Sequence, residues 1–368
     1  MSKQTICFFN STKSWGGGEK WHFEMASYLF EKNYSVLVIV APDSPLHQKL
    51  QEKQIPTETI KVSNSSFLNP FKIKTVKGFY KKHKVTTVVL NSSEDMKLGG
   101  FAAKKTGIGR IIYRRGSAIP IKNKFINRYF FKKVLTEVLA NSEATKATIN
   151  ANNPSLFTKE KITVIPNGID TSSFLEQDYQ TVYIKSEDEF VIGNLGRFVT
   201  QKNQGFLLDV TKELLSRNLK VKLVIGGSGV LDSALKEKAK DLGIYEHVVF
   251  TGFIKNPKDL MYSCDVFALS SLWEGFGYVI AEALLCEKPV IAFNVSSNPE
   301  LVRNDFNGFL TEVNNVKAFS DQIQFFYDNR EQITIMGEQG KNQIILKNDV
   351  TIINNKVETY LVNSTENK

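Results

Sequence analysis

Cysteine is scarce. Three residues, Cys7, Cys264 and Cys286, stand in a chain of 368, each in an apolar setting and none in a CxxC pair. That excludes a disulfide framework and a zinc cluster and predicts a reducing, cytoplasmic setting. Long apolar runs are also missing. No stretch approaches the roughly 18 apolar residues of a membrane span, and "MSKQTICFFN" leads into a strand-like segment without a signal-peptide core. Neither a membrane-spanning nor a conventionally secreted protein is expected. The acid-rich run "SEDE" at 186–189 lies among turn formers and reads as solvated charge, not as a metal motif.

What is present is an ordinary globular composition, 42% hydrophobic and 23% charged, long enough for two domains. Short apolar runs alternate with helical patterns. "TICFF" (5–9), "SVLVIVA" (35–41), "TETIKV" (57–62), "TTVVL" (86–90), "RIIY" (110–113) and "EVLANS" (137–142) read as strands. Amphipathic stretches such as "GEKWHFEMASYLFEKN" (18–33) lie between them. A second set follows: "FVIGNLG" (190–196), "VKLVIGG" (221–227), "HVVFTG" (247–252), "DVFALS" (265–270) and "PVIAF" (289–293). Alternation of this kind predicts an α/β protein of two doubly wound, Rossmann-like domains facing a cleft. The expected boundaries are a first domain over 1–170, a linker over 171–189, a second domain over 190–345, and a C-terminal helix over 346–368 that crosses back to the first domain.

The net charge of +9 is uneven. Residues 72–133 hold seventeen Lys and Arg against only Glu94 and Asp95, leaving the remainder of the chain net acidic. Within that block, "NPFKIKTVKGFYKKHK" (69–84) and "KNKFINRYFFKK" (122–133) interleave aromatics with cations. Such a surface suits an anionic membrane face, and peripheral docking on the cytoplasmic leaflet is the expectation.

Chemistry concentrates in the second half. "SSLWEGFGYVIAEALLCEKPVIAF" (270–293) puts Glu274 beside two glycines and Glu282 inside an apolar run. A strand, a Gly turn and a helix are expected here, with Glu274 near the helix N-terminus. Free N–H groups at that end favour an anion. On a continuous helix eight residues correspond to about 12 Å and about 80° of rotation, so both carboxylates would flank one extended ligand. "GNLGRFVTQKNQG" adds Arg197, able to grip phosphate bidentately, and Lys202, a point charge. "VIGGSG" (224–229) is a strand ending in glycines, including Gly227, where a backbone can approach a base or ribose.

Taken in order, "GGGE" (16–19), "VIPNGID" (164–170), "GRFVTQKNQG" (196–205), "LVIGGSG" (223–229), "FTGFI" (250–254), "SSLWEGFGYVIAEAL" (270–284), "KPVIAF" (288–293) and "NGFL" (307–310) resemble group 1 glycosyltransferases, carbohydrate-active family four. The likeness spans nearly the whole chain. It implies a GT-B fold, a nucleotide-sugar donor, retention of anomeric configuration, and neither cofactor nor metal. By that resemblance Arg197 and Lys202 hold the donor diphosphate, Glu274 meets hydroxyls of the transferred sugar, and Glu282 holds the ribose. Gly196 and Gly227 let the backbone close on the donor, and the amides around Gly275, Phe276 and Gly277 cradle sugar and phosphate. The loop at Gly16, Gly17 and Gly18 approaches donor or acceptor, braced by Glu19. The acceptor is a saccharide or a lipid-linked one, in surface polysaccharide or lipopolysaccharide synthesis.

The sequence departs from the family where many relatives carry a first-domain histidine. None of His22, His47, His83 and His247 falls there, and "RRGSAIP" follows "RIIY" instead, leaving Arg114 and Arg115 as candidates for an anionic acceptor or donor. Two rivals are a nucleotide-sugar epimerase of the same fold, which needs no acceptor, and a basic nucleic-acid binder, which leaves both glutamates unexplained. No nucleic-acid partner is expected.

Overall fold

The computed structural model describes residues 4–362. The chain divides into two compact units, residues 1–167 with 352–368, and residues 168–351. The first unit holds a seven-stranded sheet of order β3-β2-β1-β4-β5-β6-β7. Its strands are β1 (Thr5–Asn10), β2 (Ser35–Val40), β3 (Thr57–Thr59), β4 (Val85–Leu90), β5 (Arg110–Arg115), β6 (Glu137–Ala140) and β7 (Ile162–Val164). The second unit holds six strands in the order β10-β9-β8-β11-β12-β13. They are β8 (Phe190–Leu195), β9 (Val221–Gly226), β10 (Val248–Gly252), β11 (Val266–Leu269), β12 (Val290–Phe293) and β13 (Gly308–Thr311). Every strand pair is parallel. Parallel strands covered on both faces are buried runs, and β1 and β5 are buried at all six positions.

Two strands, β7 and β13, lie outside the runs expected from sequence. β7 has three residues, and β13 opens on a glycine with φ of +152°. Both close a sheet edge, where burial is one-sided and the apolar signal is short.

Each sheet reverses its winding once, at β1/β4 in the first unit and at β8/β11 in the second. A doubly wound sheet binds its ligands beyond the carboxyl ends of the strands at such a point. The loops that matter therefore follow Asn10 and Leu90 in one unit, and Leu195 and Leu269 in the other.

The stretch read as a linker over 171–189 is largely a part of the second unit. It begins with the helix Thr171–Glu176, whose Asp170 cap accepts from the Ser173 amide. Phe174 is buried in that unit's core, and Tyr179 stacks on Tyr262 at 3.9 Å. Lys258 donates to the Leu175 and Gln177 carbonyls. Turn-forming composition hid these three anchors. The last helix, Val350–Val362, lays Ile353, Val357 and Leu361 into the first unit's core. There Arg110, paired with Glu137 at 2.9 Å through both Nε and Nη2, donates to the Leu361 and Tyr360 carbonyls.

Candidate functional site

In the second unit two loops meet at the β8/β11 reversal. The loop after β8 carries Gly196, Arg197 and Lys202 and ends in the helix Gln204–Ser216. The loop after β11 carries Ser270 to Gly277 and ends in the helix Tyr278–Leu285. Backbone and side-chain bonds stitch them together. The Leu272 amide donates to the Gln201 carbonyl at 2.9 Å, and Gln201 Nε2 donates to the Trp273 carbonyl at 2.8 Å. Ser270 Oγ donates to the Lys202 and Asn203 carbonyls, each at 3.0 Å. Across this seam Lys202 Nζ donates to Glu274 Oε1 at 2.6 Å, with side chains 15% and 10% exposed. Two opposite charges thus meet in a largely desolvated place, where each would be costly alone.

Glycines make the approach possible. A Cβ on Gly196 would lie 3.3 Å from Lys202 Cδ, so the lysine stem lies across that glycine. Gly227, with φ of +141°, brings the end of β9 so close to the β8 loop that a Cβ there would sit 1.9 Å from the Gly196 carbonyl oxygen. The GGSG turn is a packing requirement between two loops before it is anything else.

Arg197 is exposed on the same loop, close in sequence to Lys202. Glu274 is buried, and its carbonyl accepts from Ser297 Oγ at 3.3 Å. Gly275 is half-buried; Phe276 and Gly277 are buried. Gly277, at φ +89°, turns the chain into the helix that starts at Tyr278. Glu274 consequently precedes the helix, and the 12 Å and 80° expected from a continuous helix do not describe its spacing to Glu282. Glu282 is half-buried in mid-helix.

In the first unit the corresponding ends are held differently. Gly17 and Gly18 open the helix Gly17–Glu31, with Gly16 extended before it at φ −160°. A Cβ on Gly18 would meet Asn91 Oδ1 at 2.7 Å. Asn91 Nδ2 donates to the buried Glu19 carboxylate at 3.0 Å, tying the helix start to the end of β4. Beside it Asp95 is wholly buried. Its Oδ1 accepts from the Ser11 amide at 3.1 Å and from Ser11 Oγ at 2.5 Å, and its Oδ2 accepts from the Ser92 amide at 2.9 Å. Burial raises the Asp95 pKa, with these bonds opposing. Neither Ser11 nor Asp95 was singled out in the sequence, although Ser92-x-x-Asp95 is a capping-box pattern that could have revealed the second.

Arg114 and Arg115 end β5 with their side chains turned into the protein. Arg114 Nη2 donates to Asn167 Oδ1 at 2.6 Å, and its guanidinium lies 4.8 Å from the centre of the Trp21 ring. Arg115 donates to the Ile119 carbonyl. His22 is fully buried, edge-on to Phe8 at 5.6 Å, and neither ring nitrogen has a hydrogen-bond partner among the described residues. Burial, reinforced by the Arg114 charge, holds its pKa well below the usual histidine value.

Comparison with known proteins identifies the class. The "Glycosyl transferases group 1" family matches residues 176–343, and "Glycosyltransferase Family 4" matches residues 15–173. Similar proteins include the Escherichia coli UDP-Gal:alpha-D-GlcNAc-diphosphoundecaprenol alpha-1,3-galactosyltransferase, 25% identical over 78% of each chain. A second is the N-acetylgalactosamine-N,N'-diacetylbacillosaminyl-diphospho-undecaprenol 4-alpha-N-acetylgalactosaminyltransferase of Campylobacter jejuni, 31% identical over 56% of this chain and 54% of that one. Among solved structures, Anabaena HepE in complex with UDP superposes with a TM-score of 0.82 over 97% of this chain and 99% of that one, at 23% identity. Two glycosyltransferase family models thus match the two parts of the chain in turn, and the chain is a glycosyltransferase with the GT-B fold.

Proposed function

We propose that this enzyme moves a sugar from a nucleotide-sugar donor, with retention of configuration, onto a saccharide or lipid-linked acceptor in surface polysaccharide or lipopolysaccharide assembly. The observation that carries the reading is the Lys202–Glu274 pair beyond the strand ends at the β8/β11 reversal. An ammonium has three donors, and Glu274 takes one. The proposed role of Lys202 is to turn the others, with the guanidinium of Arg197, on the donor diphosphate. Negative charge grows on that group as the sugar–phosphate bond breaks. Fixed cations and the N-terminus of the helix Tyr278–Leu285 stabilise it where it develops. The pairing with Lys202 keeps the Glu274 carboxylate aimed, ready to accept from hydroxyls of the transferred sugar.

In the same reading the amides of Gly275, Phe276 and Gly277 line sugar and phosphate, Gly196 and Gly227 bound the pocket floor, and Glu282 holds the ribose. The glycines 16–18 stand at the acceptor-binding unit's own strand ends. The leaving phosphate takes the acceptor proton, so the reaction asks for no protein base, resident cofactor or metal. The names of the Escherichia coli and Campylobacter jejuni relatives support a polyprenyl-diphosphate-linked acceptor. Among the described residues no helix is long and apolar enough to cross a membrane. The proposed place of work is the cytoplasmic face, with the basic region 72–133 turned to an anionic leaflet.

The test is hydrolysis and transfer by purified protein across a set of nucleotide sugars, with the product anomer read by NMR. Turnover of at least one donor is expected, with the α-configured product from an α-configured donor. No turnover of any donor with a range of acceptors refutes the donor reading; an inverted anomer refutes retention alone.

A further inference from the structure

We propose that a groove on the first unit, between the single turn Ser66–Leu68 and the helix Phe125–Lys133, is a membrane insertion site that takes acyl chains of an anionic leaflet. The proposal rests on the lipid-linked reading above and deepens it by naming where the bilayer enters.

The groove has a volume of about 310 Å³ and is walled by Phe67, Leu68, Phe101, Phe125, Ile126 and Tyr129 over the buried ring of Phe130. Helical spacing creates one wall. Phe125 and Tyr129 stand four residues apart, and Ile126 and Phe130 repeat the interval one position on. The rings brace each other, with Phe67 edge-on to Phe130 at 5.9 Å and Tyr129 edge-on to Phe130 at 5.5 Å. Leu68 is nonetheless 71% exposed and Phe125 77%. Scattered exposed apolar side chains are normal; several converging on one preformed groove mark a contact surface.

The rim decides the occupant. Lys124 precedes Phe125, and Arg128 precedes Tyr129 on the same helix. Lys105 Nζ lies 5.5 Å from the centre of the Phe101 ring. Lys72 Nζ lies 3.1 Å from Ser66 Oγ, and Lys97 Nζ lies 3.0 Å from Asn64 Oδ1, beside the turn. Of the two acids between residues 72 and 133, Asp95 is buried and saturated by Ser11 and Ser92. An apolar centre inside a cationic ring complements a leaflet, which has anionic headgroups above hydrocarbon. Long lysine and arginine stems let the charges stay at headgroup level while the rings go deeper. A soluble protein partner would need that same layering on its own surface.

The experiment is vesicle flotation with phosphatidylcholine alone and with phosphatidylcholine–phosphatidylglycerol mixtures, at low and high salt. The whole chain is compared with the double variant Leu68→Ser, Phe125→Ser. Both side chains are exposed, so an unchanged Tm is expected and checks folding. The wild type should bind only the anionic vesicles and keep part of that binding at high salt. The double variant should bind about ten-fold more weakly and lose its remainder to salt. In Phe125→Trp, the emission of the introduced indole should shift to the blue on the vesicles and be quenched by lipids brominated on their acyl chains. Equal binding of wild type and double variant, or emission from the introduced indole untouched by brominated chains, overturns the proposal. So does binding of vesicle-free polyprenyl diphosphate, or self-association, that needs Leu68 and Phe125 while vesicle binding does not. Donor hydrolysis without vesicles is measured on the same preparations and should be unchanged in both variants. A failure of the groove is then distinct from a failure of the enzymatic reading.

Discussion

The two units solve the same topological problem and leave different groups at the reversal point. In the first, several polar groups near the strand ends are tied to protein. Asp95 is saturated by Ser11 and Ser92, Glu19 holds Asn91, and Arg114 lies between Asn167 and Trp21. In the second, a cation and a carboxylate face each other across a seam, and the cation's loop also carries an exposed arginine. A ligand can divert one member of an opposite-charge pair, because the other remains to be satisfied by the ligand itself. It gains far less from a carboxylate already bonded to backbone amides. In the proposed reading, the difference separates a unit that holds its loops still from one that hands its charges to a substrate.

The strongest way to break the second unit's arrangement is through its packing. Gly227→Ala would put a methyl 1.9 Å from a backbone oxygen at a φ of +141°. We expect a loss of about 4 kcal/mol or more, read as failure to fold or a collapse of Tm. A Tm within a few degrees of wild type would mean that the loops can part freely. Next come the charges. Lys202→Ala and Glu274→Gln should each lower kcat/KM for donor turnover by about 10² to 10³, about 3 to 4 kcal/mol of transition-state stabilisation. Circular dichroism should stay native. Glu274→Gln is the milder change for folding, because Lys202 keeps a side-chain oxygen to bond. Near-normal turnover in either variant removes that residue from the chemistry.

Much of this was legible beforehand because the pattern was physical. Eleven of the strands announced themselves as apolar runs, and the pairing of the two loops could be anticipated from Gly-rich turns following strands. What stayed hidden had identifiable causes. β7 and β13 are short edge strands. The helix Thr171–Glu176 is masked by its Asp and Ser neighbours, although Asp170 at its cap is a start signal. The spacing of Glu274 to Glu282 escapes a periodicity argument because one residue, Gly277 at φ +89°, sets the helix start, and no periodicity reports a single dihedral. The inward turn of Arg114 could not be seen, since Trp21 and Asn167 become its neighbours only when distant segments meet.

The contrast between units is sharpened by Asp95→Asn. The amide turns one acceptor into a donor amid three donor groups, so one buried donor is left unmet. That costs about 2 kcal/mol of stability. Assayed below its lowered Tm, the variant should turn over donor within about three-fold of wild type, the reverse of Lys202→Ala. A folded Asp95→Asn protein with turnover reduced about a hundred-fold would put the first unit's loop in the chemistry and erase the distinction between the units.

The smallest effect expected comes from His22, and its sign can be worked out. Burial holds the folded-state pKa well below the unfolded value near 6.5, so below that pH the unfolded chain binds a proton that the folded chain refuses. The stability associated with neutral His22 is therefore complete above about pH 6.5 and is lost as pH falls toward the folded pKa. At about 1.4 kcal/mol per pH unit, the loss between about pH 6.5 and pH 5 is at most about 2 kcal/mol. His22→Phe removes two ring nitrogens that have no hydrogen-bond partner among the described residues, retains a ring against Phe8, and takes away the titration. Replacing an unmet polar group by an apolar one of similar shape is near neutral or stabilising. At about pH 7 the variant should unfold within about 1 kcal/mol of wild type, and its Tm should fall less steeply than that of wild type between about pH 6.5 and 5. Parallel Tm profiles for the two proteins across that window would show that the imidazole charges in the folded state, by water entry or a rearrangement around Arg114.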